Sequence, residues 1–316
     1  MAAADDDTLR ILPSAVPKAT RSAMTRAAVV VAVLAASAGT GWYWSGPATP
    51  PPVPLAVAVL PPSPSPIAAR QPIPLLTEAE LLELRPARPE MWRLRENPRV
   101  FVLVFPDLEQ QGAAFNRAAA LIEKAGLPRD RLLSQTELAE AIARNGDTPA
   151  TWYYGHDYRT ADLRRFFVLA ERDRVALNDA ELWVREQLAL AEAAGGTGAL
   201  ALVSTAAQGL MLDAGMRAAV LRHEIGHGHY FTIPGFAEHV HAVWRHRFSE
   251  AERAAFRAFL AREGYDPTNE DLLANETMAY LLFTPDPRFF APAMVGLAEP
   301  AIRRMRDLLR DGLPLP

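Results

Sequence analysis

No cysteine occurs anywhere in the 316 residues, so disulfides and thiolate metal sites are excluded. A metal in this protein has only His, Asp and Glu to hold it. Net charge is also scarce. The formal value of −4 comes from nearly balanced acids and bases, without the basic excess that nucleic-acid binding uses. No internal repeat is visible. What the chain has in quantity is apolar residues: half of it is hydrophobic, enough for a sizeable core in one large domain or two modest ones.

The apolar residues are unevenly placed. From Ala27 to Trp44 no charged residue occurs, and Val29 to Leu34 is wholly apolar. That length is at the short end of what crosses a bilayer. Lys18, Arg21 and Arg26 precede it, and the next charge is Arg70. The asymmetry predicts residues 1–26 as a cytoplasmic tail, 27–44 as a single-pass anchor in the inner membrane, and the remainder on the periplasmic side. Trp42, Tyr43 and Trp44 suit the far interface. Ala36-Ser37-Ala38 also fits a signal-peptide cleavage site, an alternative that exports the same domain. Residues 45–74 are dominated by Pro with Ala, Val and Ser, and read as an extended spacer.

The folded domain is expected over 75–316 as α+β, with a small sheet in the first half and helices after Pro234. Arg99 to Phe105, Phe166 to Ala170 and Ala199 to Ser204 read as strands. Helices are expected over Asp107–Ala125, from Ser134 with Glu137 as a capping box, and from Asn178 or Asp179 to about Ala193. Asp213 caps the next helix. Four more follow, at Phe236–Phe248, Ser249–Glu263, Asn269–Phe283 and about Glu299–Asp311.

The helix opened by Asp213 carries His223-Glu224-Ile225-Gly226-His227. Residues four apart share a helix face, so both imidazoles can hold one zinc ion, and Glu224 is placed to take the proton of an activated water. Gly226 leaves room for another backbone to approach. A catalytic zinc needs a third protein ligand and an open position. Tyr230 and Ile233 stand where a longer motif would have glycine and a third histidine, and His229 points elsewhere on the helix. A downstream carboxylate remains, and Asn275-Glu276-Thr277-Met278-Ala279-Tyr280 offers one, with Glu270 and Asp271 as rivals on the same helix.

At these residues the chain resembles the gluzincin group of zinc metallopeptidases. There HExxH is followed by a second helix with a glutamate ligand, often preceded by Asn and followed three residues later by a small residue. Asn275, Glu276 and Ala279 match. The resemblance covers only these two helices. It implies a zincin-like domain, zinc held by His223, His227 and Glu276, Glu224 as general base, and a peptide or protein substrate. Two features depart from it. Tyr280 stands where many members have an acidic residue that supports a ligand histidine, and the interval from His227 to Glu276 is wider than in thermolysin-like members.

Tyr280, one turn past Glu276, is the first candidate to stabilise an oxyanion, ahead of Tyr230, His239, His241 and His246. His156, in the run Tyr153 to Asp157, reads as a loop residue rather than a ligand. The strand at Ala199–Ser204 is a candidate sheet edge for substrate. Two other functions fit the same residues: a non-catalytic tethered module with structural zinc, and a zinc hydrolase of a non-peptide amide in the cell wall.

Overall fold

A computed structural model describes residues 72–315. The expected anchor at 27–44 and the spacer up to residue 71 lie outside the described residues. Among the described residues, no helix is long and apolar enough to cross a membrane. The architecture is α+β, a small mixed sheet followed by a helical second half.

In chain order the first half runs β1 (Leu75–Leu76), α1 (Glu78–Glu83), β2 (Glu90–Leu94), β3 (Val100–Phe105), α2 (Leu108–Ile122), α3 (Gln135–Arg144), β4 (Gly155–Arg159), α4 (Thr160–Arg172), α5 (Asp179–Gly195) and β5 (Ala201–Ala206). Then come α6 (Ala214–Thr232), α7 (Phe236–His246), α8 (Glu250–Arg262), α9 (Glu270–Phe283), α10 (Pro292–Val295) and α11 (Glu299–Arg310). The sheet order is β1-β2-β3-β5-β4. β1 pairs with β2 and β3 with β5 in parallel, whereas β2 runs antiparallel to β3 and β4 antiparallel to β5.

The central pair explains the uninterrupted apolar runs. Every residue of β3 and β5 is buried, because helices cover both faces. Phe101, Leu103 and Phe105 pack on Phe115, Leu163, Phe166 and Val184 of α2, α4 and α5. On the other face, Val100, Val102 and Val104 meet Leu221 and Ile225 of α6. Thus α6 lies flat on the sheet, and the second-half helices build their own core around Phe236, Trp244, Phe256, Met278 and Ile302.

Three expectations change. Phe166–Ala170 lies within helix α4, because Leu163, Phe166, Leu169 and Ala170 repeat at helical spacing against the sheet. Tyr153 to Asp157 is not simply a loop: Gly155 begins β4, which forms the sheet edge. The strand read at Ala199–Ser204 is β5, paired on both sides, so it has no free edge to offer a substrate.

Candidate metal centre

α6 is an unpromising helix by propensity. It contains Gly215, Gly226 and Gly228, each costing about 1 kcal/mol relative to Ala. Its start is fixed by Asp213, whose side chain accepts from the Met216 amide at 2.9 Å. Its middle is held by packing between the sheet and α9. Gly226 is needed there because a Cβ would come within 2.7 Å of the Phe283 ring. What approaches is therefore a side chain of α9, not the backbone expected at that position. α9 begins at Asn269, which accepts from Leu272 N at 3.2 Å, with Glu270 and Asp271 in its first turn.

This packing brings His223, His227 and Glu276 together, with donor atoms all within 4.8 Å of one another. The two Nε2 atoms are 3.0 Å apart, and the Glu276 carboxylate lies 3.6 Å from His223 Nε2 and 3.7 Å from His227 Nε2. Donors at the usual distances around one tetrahedral metal ion are separated by about 3.3 Å.

The other ring nitrogens decide the tautomers. The Thr284 hydroxyl donates to the Ala279 carbonyl at 3.0 Å, so it accepts from His223 Nδ1 at 2.7 Å. Asn275 Oδ1 accepts from His227 Nδ1 at 3.0 Å. Each imidazole spends its proton on Nδ1 and turns a bare Nε2 lone pair toward the other. Burial lowers both histidine pKa values to about 4, so neither ring is charged near neutrality. Two lone pairs 3.0 Å apart, with Glu276 Oε2 buried and lacking a protein partner, are the donor set a cation satisfies. The support that Tyr280 cannot give as an acid comes instead from Asn275 and Thr284.

Carboxylates gather around this centre. Glu224 is buried, and its Oε2 has no hydrogen-bond partner. Its pKa is pushed well above the usual carboxylate range by burial and by Asp157, Glu276 and Glu123. Burial, with Glu123 and Glu276 nearby, raises Asp157 in the same way. Glu123, beside the end of α2, is pushed to about 8 by burial and Glu276. Glu276 is raised by burial, against the pull of His227, Tyr265 and Lys124. Each of these carboxylates is held toward its neutral form, and a cation at the centre would compensate their ionisation.

β4 supplies the opposite wall. A Cβ on Gly155 would sit 2.3 Å from Glu224 Oε1, so only glycine lets the strand lie against this carboxylate. Asp157, two residues on and on the same strand face, places Oδ2 3.7 Å from His227 Nε2. His156 faces the other way, its ring 5.2 Å from Phe115, and burial lowers its pKa to about 3. Thr160 N donates to Leu200 O, so the ladder turns the backbone groups of His156 and Tyr158 toward β5. Those of Gly155, Asp157 and Arg159 face outward. A cavity of about 490 Å³ adjoins that edge, lined by Asp157, Arg159, Phe231, Asp271 and Asn275 among others.

The other candidates are placed as follows. The Tyr280 ring packs edge-on to His223 at 5.0 Å, between Phe259 and Phe290, and burial raises its hydroxyl well above the usual phenol range. Tyr230 donates to Asp271 Oδ1 at 2.6 Å, and His241 Nε2 lies 2.9 Å from the same oxygen. His239 contacts the Leu309 carbonyl at 2.9 Å, His246 is exposed, and His229 lies against Asn97. Glu270 accepts from Trp244 and Arg257. Neither rival carboxylate joins His223 and His227.

Asp157, Gly155 and Thr284 are the residues that sequence reasoning passed over. A signal for the first two was present: Gly155, Asp157 and Arg159 alternate with His156 and Tyr158 at the strand period. Thr284 follows the end of α9 and carried no signal. Comparison with protein-family models, with curated proteins and with solved structures gives no match.

Proposed function

We propose that this chain is a zinc-dependent metallopeptidase of zincin-like fold. The observation that carries the reading is the pair of bare Nε2 atoms facing the Glu276 carboxylate, with both Nδ1 protons already committed to Asn275 and Thr284. His223, His227 and Glu276 would hold the ion, two neutral nitrogens and one carboxylate suiting zinc. Zinc bound there supplies acidification of a water and polarisation of a scissile carbonyl.

The residues around it divide the remaining work. Glu224 accepts the proton of the attacking water and returns it to the leaving amine. Its place against Gly155 holds the carboxylate without a competing hydrogen bond on Oε2. The outward backbone groups of Gly155, Asp157 and Arg159 suit an extended peptide added along β4, beside the centre. Tyr280 walls the site at His223 and is the candidate donor to a developing oxyanion. The uncharged stretch at 27–44 supports a membrane-tethered protein acting on the periplasmic side.

The test is hydrolysis of a peptide library by the full chain, before and after metal removal. The reading requires cleavage that a chelator abolishes and stoichiometric zinc restores. Chelator-insensitive cleavage would refute it.

A further inference from the structure

His227 has one nitrogen to give. Its Nδ1 is committed to Asn275, so Nε2 serves one ion at a time. Two donor sets converge on that atom. His223 and Glu276 form one, Asp157 and Glu224 the other, and within each set, His227 included, the donor atoms lie within 4.8 Å of one another. Asp157 Oδ2 and Glu276 Oε1 are equally distant from it, at 3.7 Å. The second set is not merely a group of acids. It includes the imidazole, and Glu224 Oε2, nine-tenths buried, has no hydrogen-bond partner.

We propose that the centre offers a cation two alternative seats that share His227: a nitrogen-rich one with His223 and Glu276, and an oxygen-rich one with Asp157 and Glu224. This rests on the ligand set proposed above and extends it. An ion in the second seat takes Glu224 as a ligand, so the proton acceptor is lost and the centre is inactive. Asp157 thereby becomes a residue that decides where the ion sits. Because Gly155 fixes strand β4 against Glu224, both oxygen donors of the second seat are held by one edge of the sheet and one face of α6.

Donor chemistry sorts the metals. Imidazole-rich sites suit zinc, whereas carboxylate-rich sites suit harder ions such as manganese and magnesium. Zinc therefore prefers the first seat, and manganese is shifted toward the second.

The experiment loads the metal-free full chain with Zn²⁺ or Mn²⁺ and reads bound metal per chain by elemental analysis. The Mn²⁺ paramagnetic resonance spectrum reports the ligand field. Glu276→Ala is expected to keep one ion, held more weakly than in the wild type. Adding Asp157→Asn to Glu276→Ala should abolish that residual binding. Asp157→Asn alone should leave zinc binding intact, weaken manganese binding and change the Mn²⁺ spectrum. Glu276→Gln, which preserves side-chain volume, repeats the first arm should the alanine variant fail to fold.

A Glu276 variant that folds and binds no ion overturns the second seat while leaving the first-seat ligands standing. Equal residual binding with and without Asp157 also overturns it. A wild-type chain that binds neither metal refutes the ligand set and the second seat together.

Discussion

His227 Nδ1 and Asn275 Oδ1 are 3.0 Å apart, and Asn275 directly precedes Glu276. One short stretch of α9 thus provides a carboxylate to the centre and orients a histidine that α6 provides. Asn275→Ala should weaken zinc affinity about 10–100-fold, the usual cost of losing a group that orients a ligand. Competition with a chelator measures it. Unchanged affinity would remove Asn275 from the account.

Thr284 does the same for His223 through its hydroxyl, which is already donating to Ala279. Thr284→Val keeps the shape and removes the acceptor, so affinity should fall by a comparable ~10-fold or more. Thr284→Ser should restore it. If valine and serine behave alike, the contribution is packing and not hydrogen bonding.

Gly155→Ala places a methyl group 2.3 Å from Glu224 Oε1. The strand or the carboxylate must move, at a cost of about 1–3 kcal/mol in stability. Zinc content should stay near one per chain, since the atoms nearest the added methyl belong to Glu224 and not to a proposed ligand. Peptide hydrolysis should fall steeply because Glu224 is displaced. Denaturant unfolding, metal analysis and turnover measured together test this, and full activity would contradict it.

His156 predicts an acid limit. Buried behind β4, chiefly by desolvation and secondarily by Lys124, it protonates in the folded state only near pH 3. The unfolded chain takes up the same proton near pH 6.5. Between these values the unfolded state binds one more proton, so the contribution of this residue is complete above about pH 6.5 and is lost as pH falls toward 3. The raised carboxylates act in the opposite sense, so the informative comparison is with a non-titrating variant. Unfolding of metal-free His156→Gln should depend on pH less steeply than wild type by about one proton across pH 4–6. Parallel curves would show that His156 is not titrating in this way.

Much of the fold was legible because the signals are local. Ser134 and Ser249 form capping boxes with Glu137 and Glu252, Asn178 caps α5, and β3 and β5 announce themselves as continuous apolar runs. β4 was harder to see. An edge strand with Gly155, Asp157 and Arg159 on one face lacks an apolar period, and its pairing with β5 is made across about 45 residues of sequence. Phe166–Ala170 looked extended because a short apolar run does not distinguish a strand from a buried helix face. At the site, the spacing within α6 is readable from sequence. The approach of Asp157 and Thr284 depends on how α6, α9 and β4 pack, and only tertiary structure supplies that.

In the proposed mechanism Glu224 acts on a water held at the His223–His227–Glu276 centre. Glu224→Gln in the full chain tests it most directly, with zinc content and peptide hydrolysis measured on the same preparation. About one zinc per chain is expected, with a loss of hydrolysis of at least ~10²-fold, the usual scale of general-base catalysis. Retained zinc with undiminished hydrolysis would contradict it.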